Sequence, residues 1–200
     1  MQKFLAIAML AGVLLSVAEP AAAVTKFYAN ITHDQEVSNP PVPQQGSSGI
    51  GFFELNDAQT ALSYDIQLFG LDLDGLQTPG NANDNVTRTH FHAAQAGQNG
   101  GIVFGQIDGQ VSLRNDLDDL VVSPVVGRLT GVWDGNEGNM TSLALQLNNL
   151  LNGGLYFNVH TADHAGGEIR GQVLLVPEPS SFLLGCLLAG LVWTKARRRR

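Results

Sequence analysis

His90 and His92 stand one residue apart in the stretch Thr89-His90-Phe91-His92. The surrounding residues read as a β-strand, in which side chains i and i+2 project from the same face. Two neutral imidazoles on one face can hold one metal ion at ~2 Å per nitrogen. A third ligand has to come from another strand. His160 is the candidate, because its neighbours Val159 and Thr161 point to the opposite face and leave it to project alone. Three imidazoles suit zinc or copper. The competing reading is structural: a His-x-His pair at a sheet edge can bond backbone carbonyls and loop hydroxyls and fix the turn that follows. The pair is scaffold unless His160 converges on it.

Glu168 and Arg170 share a face of one strand, so each is expected to meet a partner on a neighbouring strand. A buried Arg–carboxylate bond orienting the Gly166-Gly167 turn is the structural clamp these residue types suggest. His33, beside Asp34 and Glu36, reads as a surface residue. Leu71-Asp72-Leu73-Asp74-Gly75 starts like a calcium loop but lacks the third oxygen ligand and the later glutamate, so it reads as a turn. There is no Gly-x-Ser-x-Gly, no P-loop and no catalytic Cys/His pair, and no enzyme activity is expected. Asn-x-Thr sequons occur at Asn30, Asn85 and Asn139.

The elements that must position these residues are mostly strands. Segments 24–32, 48–55, 61–71, 89–94, 101–107, 126–133, 155–161 and 168–176 are apolar or alternating and are separated by Gly, Pro, Asn and Asp. In 61–71, Leu62, Tyr64, Ile66 and Leu68 alternate with Ser63, Asp65 and Gln67, the pattern of a strand with one buried face. Segment 139–154 differs: Leu143, Leu147, Leu150 and Leu151 recur at helical spacing. Thr141 or Asn139 is expected to cap that helix, and Gly153 or Gly154 to end it. The expectation is an all-β protein, an antiparallel β-sandwich of Greek-key type with one short helix. No linker divides residues 24–176, which read as one domain.

That middle carries five Lys/Arg against sixteen Asp/Glu, a net charge of −11 within a chain of −7. A nucleic-acid partner is not expected, because no basic face is available to neutralise phosphates. The one cysteine, Cys186, rules out an intrachain disulfide.

Residues 1–23 have the parts of a signal peptide: Lys3, an apolar run from Phe4 to Val17, Pro20, then Ala21-Ala22-Ala23. Cleavage by signal peptidase is expected after Ala23; an uncleaved anchor is the alternative. Residues 177–200 have three parts in order: Pro177, Glu178 and Pro179, an apolar stretch from Phe182 to Trp193, and a basic cluster of Lys195, Arg197, Arg198, Arg199 and Arg200. The stretch with its flanks makes a transmembrane helix of roughly 22 Å at ~1.5 Å per residue, short for a ~30 Å core. The basic cluster would stay cytoplasmic, leaving the acidic domain outside.

The three-part tail resembles the PEP-CTERM sorting signal. The resemblance implies a Gram-negative bacterium, processing by a membrane-embedded exosortase, transient residence in the inner membrane, and export to the surface or an extracellular matrix; the alternative is a permanent tail anchor. Within the middle, Asn158-x-His160-Thr161 followed by Gly166-Gly167-Glu168-Ile169-Arg170-Gly171-Gln172 resembles the signature of the CHRD domain, first described in chordin. The His-x-His strand and the early Gly49-x-Gly51 strand fit too, while His164 departs from the usual turn residue. This resemblance implies an extracellular binding or structural module acting on a protein or polymer, and brings no enzyme activity with it. A His-x-His strand in a sandwich is also similar to the copper/zinc superoxide dismutases. A copper site of that kind needs a fourth histidine, a bridging histidine and a disulfide; with no cysteine in the mature domain and too few placed histidines, dismutase activity is not expected.

Overall fold

A computed structural model describes residues 24–38, 41–43 and 46–177. Alternation of apolar and polar residues produces two antiparallel sheets packed face to face. The chain runs β1 (Thr25–Ile31), β2 (Ser48–Leu55), β3 (Ala61–Phe69), β4 (Val86–Ala93), β5 (Gly101–Ile107), β6 (Val121–Ser123), β7 (Arg128–Asp134), α1 (Leu143–Leu151), β8 (Leu155–Thr161), β9 (Ile169–Gln172) and β10 (Leu174–Leu175). The six-stranded sheet has the order β10-β1-β2-β3-β7-β6, and the four-stranded sheet β5-β4-β8-β9. One expected strand, 168–176, is two strands in different sheets. The break is Val173, fully buried, where the chain passes from one sheet to the other.

The core lies between the sheets. Phe27, Phe53 and Tyr64 from the first sheet face Phe91, Phe104 and Phe157 from the second, with Trp133 stacked on Phe104 at 4.8 Å. Tyr64, Leu62, Ile66 and Leu68 are buried, as the alternation requires. One flank of the sandwich is sewn shut: Thr32 N–H donates to Arg170 O at 2.9 Å, and Arg170 N–H to Thr32 O at 3.1 Å, joining β1 to β9. The opposite flank, between edge strands β5 and β6, has no such bridge among the described residues.

The helix is shorter than its periodicity suggests. It starts after Ser142, not at a cap formed by Asn139 or Thr141. Those side chains are engaged elsewhere: Asn139 Nδ2 donates to Ile102 O at 3.1 Å, and Thr141 Oγ1 accepts from Gln146 at 3.0 Å. Gly153, at φ +65°, follows its end. Leu143 and Leu150 are buried, whereas Leu151 is exposed.

The pairing of β4 with β5 carries two irregularities. Thr89 pairs with Ile107 and His90 with Gly105, leaving Gln106 as an extra residue; Phe91 pairs with Phe104 and His92 with Ile102, leaving Val103. Each is a β-bulge, a device that re-aims side chains, and each sits beside one of the two histidines.

No helix among the described residues is long and apolar enough to cross a membrane. The expected signal segment with Ala23, together with Glu178, Pro179, the tail helix, Cys186, Lys195 and Arg197–Arg200, lies outside the described residues. Pro177 is exposed.

Candidate functional site

The outer face of the four-stranded sheet is polar yet enclosed. Strand alternation places Arg88, His90 and His92 of β4 there, opposite His160, Asn158 and Tyr156 of β8 respectively. Arg170 and Gln172 of β9 continue the same rows. Loops cover this layer, so His90 is fully buried, and His92 and His160 are only 8% and 7% exposed. The convergence that the His-x-His spacing left open is present: one ring nitrogen from each of His90, His92 and His160 lies within 4.8 Å of the other two.

Each ring is held by its other nitrogen. His92 Nδ1–H donates to Gly100 O at 3.0 Å, and His160 Nδ1–H to Ala165 O at 3.0 Å. His90 Nε2–H donates to Asp108 Oδ2 at 2.7 Å, with both side chains enclosed. A carbonyl oxygen only accepts, so each bond fixes which nitrogen carries the proton. What remains on the inner side is His90 Nδ1, His92 Nε2 and His160 Nε2, all buried and without a hydrogen-bond partner among the described residues. Burial pushes all three imidazoles down to about 4, so they are neutral at pH 7 and carry lone pairs.

Glu168 and Arg170 do not form the Arg–carboxylate bond expected of them. Glu168 accepts from Thr161 Oγ1 at 2.6 Å and from the Ser47 hydroxyl. Arg170 reaches Gln98 O at 2.8 Å, Asn99 Oδ1 at 3.3 Å and Gln95 O at 3.3 Å, and lies 3.3 Å over the Tyr156 ring. The two side chains share a face but serve different loops. Arg170 ties down loop 95–100, which supplies Gly100 O to His92. Glu168 closes turn 162–167, which supplies Ala165 O to His160. Gly167 adopts φ +126°, and a Cβ there would meet Glu36 Oε2 at 2.6 Å, so the turn needs glycine. Tyr156 also stacks on His92, with ring centroids 4.9 Å apart and planes 7° from parallel, which locks that imidazole from the side.

Two further residues support the site. Gly105 lies opposite His90, and a Cβ there would come within 1.9 Å of Leu113 O and 3.0 Å of His90 Cδ2. The loop carrying Asp108 and Arg114 can close over His90 only because Gly105 has no side chain; Arg114 Nε donates to Asp108 O at 2.6 Å. Asp108 carries no pattern that marks it in the sequence, since it sits in a loop 18 residues from its partner.

The remaining sequence candidates fall elsewhere. His33 is buried rather than on the surface, with Nε2 2.9 Å from Ser47 Oγ. His164 lies in the turn, 3.5 Å from Asp163, outside the three-histidine cluster. Asp72 is engaged by its own loop: its carboxylate accepts from the backbone N–H of Asp74, Gly75 and Thr78 at 3.1, 2.8 and 2.8 Å. Those bonds hold it well below the usual carboxylate range, as a turn-former would be held.

No curated protein and no solved structure matches the chain significantly. The family model of the CHRD domain matches residues 27–173. The chain belongs to the CHRD domain family.

Proposed function

We propose that this chain is an exported, non-enzymatic binding module of the cell surface or extracellular matrix, and that His90, His92 and His160 hold one zinc or copper ion in it. CHRD membership suggests an extracellular binding module. The observation that carries the metal reading is the division of labour within each ring: one nitrogen is fastened to a carbonyl or carboxylate, and the other is left unpaired in a shared enclosed space. Metal-ligating histidines are built this way, the outer hydrogen bond setting tautomer and orientation. A purely structural network would use both nitrogens, because a buried unpaired acceptor costs about 1–3 kcal/mol. An all-imidazole set suits zinc or copper.

Incubation of the purified full chain with Zn(II) or Cu(II), followed by desalting and elemental analysis, tests this. We expect about one equivalent bound, lost in His90→Ala and His160→Ala. Less than about a tenth of an equivalent in wild type and variants alike rejects the site.

The export half of the proposal rests on the ends of the sequence. In it, signal peptidase cuts after Ala23, and an exosortase-type enzyme acts at Pro177-Glu178-Pro179 while the tail helix and basic cluster sit transiently in the inner membrane. Fractionation of the producing bacterium tests it, and a protein confined to the cytoplasm overturns it. The mass of the exported form tells whether residues 178–200 are removed.

A further inference from the structure

The flank between edge strands β5 and β6 opens into a cavity of about 480 Å³, lined by Leu73, Gln106, Ile107, Asp116, Leu120 and Val122 among others. That volume lies within the ~300–1,000 Å³ range of small-molecule sites. The walls are apolar except at Gln106, Asp116 and the exposed Arg114, whose Nε donates to Asp108 O at 2.6 Å. Gln106 is the bulged residue of β5, 1% exposed, and neither its Nε2 nor its Oε1 has a partner among the described residues. Asp116 is 5% exposed; its Oδ2 accepts from the Tyr64 hydroxyl, while Oδ1 is buried without a partner. The backbone ties the two together, since the N–H groups of Asn115 and Asp116 both donate to Gly105 O, at 2.8 and 3.3 Å.

An enclosed amide that satisfies neither its donor nor its acceptor is expensive, and an apolar side chain of the same size would remove the cost. The bulge makes the placement deliberate, because it turns this one side chain away from the regular alternation. A planar group that accepts from Nε2 and donates to Oε1 would satisfy both atoms at once. Arg114 and Asp116 place opposite charges on this wall, but an ionised carboxylate has no hydrogen to donate to Oε1 and would leave that acceptor unmet.

We propose that this flank is a second binding site, separate from the three-histidine cluster, for a small amphipathic molecule whose apolar chain lies on Leu73, Ile107, Leu120 and Val122 and whose uncharged carboxamide head pairs with Gln106.

Titration of the ¹⁵N-labelled full chain with hexanamide, hexanoate and hexane-1-ol, followed by NMR, tests the proposal. Hexanamide is expected to shift the Gln106 side-chain amide and the backbone amides of Ile107 and Val122 saturably. Hexanoate and the alcohol should bind at least about tenfold more weakly, and Gln106→Leu should weaken hexanamide by a similar factor. Val122→Lys, on the opposite wall, should abolish the shifts without touching the amide. The proposal is overturned if hexanamide gives no saturable shift, as when only water serves Gln106, or if all three probes bind equally to wild type and Gln106→Leu.

Discussion

Asp108 Oδ2 lies 2.7 Å from His90 Nε2, and both side chains are closed off from solvent. This bond turns His90 Nδ1 toward the unpaired nitrogens of the other two histidines. Asp108 touches no metal ligand position itself, so it is a positioning residue. Asp108→Asn is expected to lower zinc affinity by about 10–100-fold, as loss of an outer-shell carboxylate does. Competition with a chromogenic chelator reads this directly. Unchanged zinc affinity in a folded Asp108→Asn protein would mean that His90 is not a ligand.

Gly105→Ala is expected to damage stability and metal uptake together. The new Cβ would stand 1.9 Å from the Leu113 carbonyl, so the 108–116 loop has to lift off β5. Overpacking of this kind costs about 1–3 kcal/mol. Gly101→Ala is the control, because a Cβ there meets nothing within 4 Å. Denaturant midpoints and metal stoichiometry should separate the two variants.

Arg170→Lys is expected to behave nearly as badly as Arg170→Ala. The guanidinium spans three loop acceptors and covers Tyr156 at 3.3 Å, and a single ammonium cannot do both. We expect a loss of about 3 kcal/mol for the alanine variant. Amide hydrogen exchange should accelerate first in residues 95–100, the loop that supplies the carbonyl to His92. The exposed pair Arg128–Asp65, with bonds of 2.7 and 2.6 Å, is the contrast. Its removal by Arg128→Ala should leave the denaturation midpoint nearly unchanged, because water screens the pair.

Burial raises the Asp116 carboxyl above its ordinary value of 3.8. The folded state therefore holds its proton more tightly than the unfolded chain. In the window above pH 3.8 the folded state binds more protons, so stability from this group falls as pH rises through its folded value. Asp116→Asn keeps an acceptor for the Tyr64 hydroxyl and removes the titration. The variant is expected to gain more in melting temperature at pH 7 than at pH 3.5, measured on the same buffer series. An equal change at both pH values would show that Asp116 is not held above its ordinary range.

The two-residue period of a strand was enough to put His90 beside His92, and Leu62 beside Tyr64, Ile66 and Leu68, because side-chain direction in a strand is a local property. Glu168 and Arg170 were placed on one face for the same reason. Each is expected to find its partner on a neighbouring strand, and Glu168 does so in Thr161 of β8, with Ser47 added from a distant segment. Arg170 departs from that expectation, because loop 95–100 folds back over β9 and offers it backbone and side-chain oxygens. His33 differs from its surface expectation for a related reason: its acidic sequence neighbours point to solvent, while Ser47 from a distant segment lies against its ring.

What the sequence determined alone is therefore the set of faces: which residues point inward, which outward, and which segments carry charge. Only the tertiary structure decided that β8 pairs with β4, bringing His160 onto His90 and His92, and that loops 95–100, 108–116 and 162–167 each take one ring nitrogen. The same is true of Gln106, whose direction comes from a bulge in register between β4 and β5. Register and loop closure depend on contacts between residues far apart in the chain, and no local period encodes those contacts.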